Sequence, residues 1–189
     1  RFVMFDLECT TLDGAAARGW SGPGEHREVI QVGATLTDER FTEQFALKVL
    51  VKPQINPILS DYCKNLTGIT QEDIDQKGID FPTFLQMFFR WCFEFELYCF
   101  DSRVDGSRLF DRDVLVENCN LLKIWHPFQM HRERFHNINE IFAKHGYVVK
   151  QSGASPEVFG IKIPARPHAA LNDVRGLLVS LKALSERVK

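Results

Sequence analysis

The sequence predicts an α/β fold in which helices flank a sheet that begins with three antiparallel strands. Three runs near the amino terminus are rich in β-forming residues, and a polar turn joins the second run to the third. After Pro53 the apolar residues change to helical spacing, with one further short strand among the helices. This order indicates layered α/β packing and neither a sandwich nor a bundle. The 189 residues are enough for one compact core, so we expect a single domain over residues 1–189.

The first half of the chain supplies most of the predicted strands. Residues 11–27 are rich in Gly and Ala and contain Pro23, which predicts a loop between the first two strands. The polar residues 38–40 predict a turn that makes the next pair antiparallel. The predicted strands are Arg1–Glu8, Glu28–Thr37 and Glu43–Lys52.

The second half of the chain is mostly helical. The apolar spacing over Phe81–Glu94 predicts a helix that faces the core. Thr70 and Asp73 have the spacing of a capping box, and Asn137 and Glu140 have capping spacing in a later helix. Glu96–Phe100 predicts a short buried strand, and Ser152–Pro167 is expected to be irregular. The remaining predicted helices are Ser60–Thr67, Asp111–Leu122, His136–His145 and Ala169–Arg187.

Composition limits the classes of function. The net charge is −2 and the pI is near 6.3, which disfavours a protein that coats nucleic acid by charge alone but does not exclude an enzyme acting on it. The five cysteines are scattered, without a CxxC pair, so neither a zinc knuckle nor a disulfide framework is indicated. We therefore expect an intracellular protein, cytoplasmic or nuclear and not secreted. Charged residues interrupt the richest apolar run, so we expect no membrane association.

Asp6 and Glu8 are the first candidate site residues. They lie two residues apart near the end of the first predicted strand, so their side chains leave the same face of the sheet. Two close carboxylates repel each other, and a bound cation relieves that repulsion. Two acids at a solvent-exposed strand end would have the same spacing. The apolar run FVMF directly before them favours a buried site, where free carboxylates are costly.

His168 and Asp173, in the run HAALND, form a second candidate cluster. His168 precedes the last predicted helix and Asp173 lies about one turn inside it, so both side chains can reach one cleft. By itself this spacing is a weak signal, because a histidine before a helix is more often a local hydrogen-bond partner than a catalyst.

Taken together, FDLECT near the start and HAALNDV near the end resemble the first and last motifs of the DEDDh 3′→5′ exonucleases, in the RNase T/exonuclease superfamily. The run VLVKPQINPILSDYCKNLTGITQEDID resembles the segment after the third strand in the Eri-1/KapD-type exoribonuclease branch. The likeness continues through PTFLQMFFRW, ENCNLLKIWHPF and NINEIFAKHGY, and so covers nearly the whole chain. The resemblance implies a ribonuclease H-like mixed central sheet.

The resemblance also implies one further acid, on a helix after the fourth strand. Asp111 fits because apolar Val114 and Leu115 follow it at three and four residues and Cys119 follows about one helix length later. Asp101, at the end of a strand, is the main alternative. Two features differ from the family pattern. Asn172 stands where many relatives have a second acid, and the loop between Glu8 and Glu28 looks longer than usual.

The resemblance implies a reaction as well as a site. Asp6, Glu8, Asp111 and Asp173 would hold two Mg²⁺ or Mn²⁺ ions, with Asp6 bridging them and His168 as the general base. Residues around Leu7, Cys9 and Thr10 would cradle the terminal nucleotide.

The implied substrate is the 3′ end of single-stranded or overhanging RNA, cleaved to nucleoside 5′-monophosphates. DNA is possible, since no residue can be shown from sequence to recognise a 2′-hydroxyl. The alternatives are therefore a DNA-directed exonuclease of the proofreading or repair type and an inactive nucleic-acid-binding module. The sequence identifies no protein partner.

Overall fold

The computed structural model describes residues 1–106, 108–127, 129–162 and 168–188. The strands in these ranges are β1 (Phe2–Cys9), β2 (Val29–Thr37), β3 (Glu43–Lys52), β4 (Ile79–Asp80), β5 (Glu96–Cys99) and β6 (Phe135–Asn137). The α-helices are α1 (Asp61–Thr67), α2 (Gln71–Lys77), α3 (Phe81–Cys92), α4 (Phe110–Leu121), α5 (Ile138–Lys144), α6 (Ser155–Val158) and α7 (Ala170–Arg187). Short 3₁₀ turns cover Gln129–Arg134 and Ser152–Ala154. Within the described ranges, none of the helices is long and apolar enough to cross a membrane.

The strands form one mixed sheet in the order β4-β3-β2-β1-β5-β6. β1, β2 and β3 pair antiparallel, as predicted. The outer pairs β1–β5, β5–β6 and β3–β4 are parallel. The predicted α/β fold, a mixed central sheet with helices around it, is therefore confirmed.

Helices cover both faces of β1, and this explains its continuous apolar run. Val3, Phe5 and Leu7 pack into the cluster that includes residues of α3 and α4. Met4 packs on the opposite face, against residues of α5 and α7. Because side chains alternate along a strand, the even-numbered residues that follow Met4 emerge on the α7 side of the sheet.

One predicted helix boundary is wrong. The helix predicted over His136–His145 begins only at Ile138, because Phe135–Asn137 pairs in parallel with β5 as strand β6. Asn137 is the N-cap of α5, and its side chain accepts a hydrogen bond from the N–H of Asn139. Sheet pairing therefore sets the start of this helix.

Two short features also differ from the sequence prediction. The two-residue strand β4 extends the edge of β3, and no strand was predicted there. Ser152–Pro167 was expected to be irregular, yet residues 152–158 form a 3₁₀ turn followed by α6. Residues 163–167 of that segment lie outside the described ranges. The prolines and glycines of this segment favour an irregular prediction, but residues 152–158 are helical and pack against α7.

Candidate active site

A cavity of about 440 Å³ opens where β1 ends, between the first turns of α4 and α7. It brings together all five residues for which the sequence predicts a metal-binding or catalytic role. These residues are Asp6, Glu8, Asp111, His168 and Asp173.

A larger cavity, of about 670 Å³, lies on the other side of the start of α7. Asn172 lines this second cavity and not the first. Asp73 is the only acid among its described lining residues, and it is paired with Lys77 at 2.6 Å. We therefore place the candidate site in the smaller cavity.

β1 supplies the first two acids. Asp6 lies opposite Gly33 of β2, and Glu8 lies opposite Gln31. Both carboxylates are on the face of the sheet that α7 covers, and the two residues are 8% and 7% exposed. Burial of two acids on one face is unusual unless a cation or a proton compensates for their charge.

α7 approaches this face very closely, and Gly33 makes the approach possible. A Cβ atom at position 33 would lie 2.1 Å from the backbone nitrogen of Leu171, which is too close for any side chain. The side-chain oxygen of Gln31 accepts a hydrogen bond from the N–H of Ala170, one of the unpaired donors at the helix start. These two contacts seat the first turn of α7 on β2 and place Asp173 beside Glu8.

His168 stands immediately before α7 in a left-handed backbone conformation, with φ +59°. Its backbone N–H donates a 3.3 Å hydrogen bond to the carboxylate of Asp173. One ligand atom from each of Glu8, His168 and Asp173 lies within 4.8 Å of the others. Among the described residues, this trio could hold a metal ion.

α4 contributes Asp111 from its first turn, and this residue is 3% exposed. The backbone of Leu7 lies close enough to the Asp111 carboxylate to lower its pKa, against the larger effect of burial. Farther along α4, the side chain of Asn118 bonds the N–H of Val29 and the carbonyl of Arg27, which ties the helix to the start of β2. The helix therefore holds Asp111 against the end of β1.

Asp101 lines the same cavity, but its carboxylate has other partners. One oxygen accepts a hydrogen bond from the N–H of Arg103 at 2.8 Å, and the other accepts from the N–H of Phe110 at 2.9 Å. These bonds close the β5–α4 loop and satisfy a free donor at the start of α4. The carboxylate of Asp101 is therefore already used in holding the loop.

The buried acids resist ionisation. Burial raises the pKa of Asp6 well above its ordinary value, and the charges of Asp111, Glu8 and Asp173 raise it further. Burial, followed by the charge of Asp173, raises the pKa of Glu8 to about 8. Burial is also the main cause of the raised pKa values of Asp111 and Asp173. A cluster of this kind stays protonated or binds cations at neutral pH.

The donor set fits hard divalent cations. The cluster offers carboxylate oxygens from four residues and one imidazole, without a cysteine thiolate. Cys9 lines the cavity, but burial raises its pKa far above neutral pH, so its sulfur stays protonated. Oxygen ligands suit Mg²⁺ and Mn²⁺ better than zinc.

Of the three residues expected to cradle a nucleotide, Leu7 and Cys9 line the cavity and Thr10 does not. The hydroxyl of Thr10 donates to the carbonyl of His26 and accepts from the N–H of Glu28, so it holds the base of the β1–β2 loop.

Sequence reasoning missed several further residues of the cavity wall. They come from segments that are far from one another in the sequence, and no motif links them to the site. The aromatic ones are Trp20, Tyr62, Phe100 and Phe110, and the basic ones are Arg103, Arg108 and Lys150.

Comparisons with known proteins identify the family and the fold. A family profile described as exonuclease, RNase_T, matches residues 3–178. The 3′-5′ exoribonuclease 1 of Mus musculus is 27% identical over 183 residues, which cover 92% of this chain and 50% of that protein. The chain therefore spans about half the length of the curated relatives that it matches over most of its residues.

Two solved structures are similar over 98% of this chain. The nuclease domain of 3′hExo, a DEDDh family member bound to rAMP, has a TM-score of 0.74 at 24% identity, with 92% of that chain covered. A 3′-exonuclease solved for its 3′-end-specific recognition of a histone mRNA stem-loop has a TM-score of 0.76 at 22% identity, with 63% of that chain covered. These likenesses confirm the ribonuclease H-like fold.

Proposed function

Because this chain belongs to the RNase_T exonuclease family, we propose that residues 1–189 form a single metal-dependent exonuclease domain that removes nucleotides from the 3′ end of single-stranded or overhanging RNA. The observation that carries the proposal is the convergence of four buried acids and His168 in one cavity. The similarity to 3′-5′ exoribonuclease 1 over 92% of the chain supports RNA as the substrate.

The acids would hold two divalent cations, Mg²⁺ or Mn²⁺. When bound, the two ions would activate the attacking water and stabilise charge on the leaving 3′ oxygen. Asp6 is the proposed bridging ligand, because the charges of the other three acids act on it. Glu8, Asp111 and Asp173 complete the proposed set. The unfavourable ionisation of these acids without metal supports the proposal, since cations would compensate for both their burial and their mutual repulsion.

Asp111 is the proposed third acid, and Asp101 is not. The two differ in what their carboxylates already bind. Asp101 accepts a backbone hydrogen bond on each oxygen and lies 3.9 Å from the Arg108 guanidinium. Asp111 faces Asp6 and raises the pKa of that residue. A carboxylate with free lone pairs next to the other acids is the better cation ligand.

His168 is the proposed general base. Its ring nitrogen lies at the edge of the acid cluster, within 4.8 Å of ligand atoms of Glu8 and Asp173. From this position it can accept a proton from a water in the cavity. The hydrogen bond from its own backbone to Asp173 fixes its distance from the acids.

The test measures nucleotide release from 5′-labelled and 3′-labelled RNA and DNA of equal sequence, with Mg²⁺, Mn²⁺ or chelator. We expect metal-dependent release from the 3′ end, faster on RNA, with nucleoside 5′-monophosphates as the product. Faster cleavage of DNA would move the assignment to a DNA-directed exonuclease. Binding without cleavage under any metal would indicate an inactive nucleic-acid-binding module.

Three variants with the same chemical change make the ligand assignment testable. Asp111→Asn should lower kcat by more than about 100-fold, because loss of a metal ligand should exceed the 10- to 100-fold effect typical of residues that only orient ligands. Asp101→Asn should keep most of the activity and lower thermal stability, because an amide can replace only one of its two acceptor oxygens. Asp113, on the same helix, is paired with Arg112 at 2.6 Å, and Asp113→Asn is the neutral control. If Asp101→Asn removed activity while Asp111→Asn did not, the assignment would be reversed.

A further inference from the structure

The loop between β1 and β2 is firmly anchored. The N–H of Thr10 donates to the carbonyl of Glu28 at 2.8 Å, and the hydroxyl of Thr10 donates to the carbonyl of His26 at 2.6 Å. The carboxylate of Glu28 accepts three backbone hydrogen bonds from residues 54–56. A loop tied down at its base in this way can present a side chain in a defined position.

Trp20 is the aromatic residue that this loop contributes to the wall of the cavity with the acid cluster, where Thr11 and Ala16 of the same loop also lie. The indole ring lies 5.7 Å from the ring of Phe110, centroid to centroid, at an angle of 50°. The guanidinium carbon of Arg27 lies 5.2 Å from each of the two rings, and Arg27 also pairs with Glu117 of α4. Part of the indole is therefore fixed by protein contacts, while another part borders the cavity.

Two local features at Trp20 disfavour this conformation. Its φ is +55°, a left-handed value that is rare for a bulky side chain. Its indole N–H is buried and has no acceptor among the described residues, whereas a buried tryptophan N–H normally finds one. Trp20 is also outside the three hydrophobic clusters of the described residues, so packing in a core does not offset these costs. Strain that persists at the wall of a candidate site points to a functional role.

We propose that Trp20 stacks on the base of the 3′-terminal nucleotide and thereby helps to set base preference. The inference rests on the proposed function and adds one substrate contact to it. Stacking on an indole is tolerant of base identity but is stronger for the larger purine rings. The chain would therefore bind a 3′-terminal adenine more tightly than a uracil, and the β1–β2 loop would supply this difference.

The first experiment tests the contact without turnover. Intrinsic tryptophan fluorescence is titrated with AMP and with ribose 5-phosphate in the presence of Mg²⁺, for the wild type and Trp20→Phe. We expect quenching by AMP in the wild type, its loss in Trp20→Phe, and none with ribose 5-phosphate, which lacks a base. Equal quenching in both proteins, or none in the wild type, would overturn the proposal.

The second experiment compares kinetics on single-stranded RNA that ends in A or in U. Trp20→Ala should raise KM about 5- to 150-fold for the A-ended substrate, with kcat within a few-fold of the wild type. It should also reduce the preference for A over U, and Trp20→Phe should restore part of both effects. Trp125, which is 67% exposed and outside the cavity, provides the control Trp125→Ala, which should change neither constant.

The kinetics of Trp20→Ala test the stacking role, and cleavage by the wild type tests the exonuclease assignment. An unchanged KM and an unchanged A-to-U preference in Trp20→Ala would refute the stacking role while the exonuclease assignment stands. Absence of metal-dependent cleavage by the wild type would refute the assignment itself.

Discussion

Glu8→Gln is expected to make the metal-free protein more stable at neutral pH, although it removes a proposed metal ligand. Glu8 has an ordinary pKa of 4.5, which burial and the charge of Asp173 raise to about 8 in the folded protein. Below pH 4.5 the carboxyl is protonated in both the folded and the unfolded chain, and folding is unaffected. As the pH rises towards 8, the unfolded chain releases this proton while the folded chain keeps it, so the folded state loses stability. Above pH 8 the loss levels off.

The size of the effect follows from the two pKa values. At about 1.4 kcal/mol per pH unit above 4.5, the loss at pH 7 is on the order of 3 kcal/mol. Glutamine has nearly the same shape and does not ionise, so Glu8→Gln should recover most of this free energy. For a domain of this size each kcal/mol corresponds to about 2–4 °C in Tm. The expected gain in chelator is therefore several degrees at pH 7 and close to zero at pH 4.5.

The assay is thermal unfolding of both proteins in chelator across pH 4.5 to 8.5, repeated with Mg²⁺. Mg²⁺ should raise the Tm of the wild type more than that of Glu8→Gln, because the ion binds the ionised cluster. Glu43→Gln is the matched control. Arg175 lowers the pKa of Glu43 through a surface hydrogen bond, so this change should not stabilise the protein at neutral pH. A Tm difference between the wild type and Glu8→Gln that is absent, or constant across pH, would refute the reasoning.

Two further predictions concern His168 and the contact between α7 and β2 at the candidate site. His168→Gln should lower kcat about 100- to 10,000-fold, as expected for loss of a general base. The Mg²⁺ affinity, measured by calorimetry, should change only a few-fold. A comparable loss of Mg²⁺ binding would instead make His168 a metal ligand. Gly33→Ala should lower both Tm and kcat, because the new Cβ would lie 2.1 Å from the backbone of Leu171 and would push α7 and Asp173 away from β1. Gly146→Ala, where φ is +81° but no atom lies within 4 Å of the added Cβ, should lower Tm alone.

The sequence was a good guide to the long regular elements. Predicted and observed bounds agree to within about two residues for the first three strands and for the helices α3, α4 and α7. Alternation or helical spacing persists over these segments for long enough to be recognised. The strand β6 has three residues and β4 has two, too few for a period to be visible. Their pairing depends on neighbouring strands that are distant along the chain.

Some of the candidate acids could be predicted from local spacing, and others could not. Asp6 and Glu8 could be predicted as a pair because their spacing along one strand fixes the face on which they lie. The preference for Asp111 over Asp101 came from family resemblance, and only the hydrogen bonds of Asp101 to the backbone of its own loop give it a physical basis.

By itself the sequence determined the type of fold, the two clusters of candidate residues and the kind of chemistry that they suggest. These three features depend on local periodicity and on side-chain chemistry, and both can be recognised in the amino-acid sequence alone. Three features could be seen only in the tertiary structure. The start of α7 lies against Gly33, and Trp20 borders the candidate site. The carboxylate of Asp101 accepts hydrogen bonds from the backbone of its own loop. Each of these depends on contacts between segments far apart in sequence, where packing and hydrogen-bond geometry, and not residue type, determine which atoms meet.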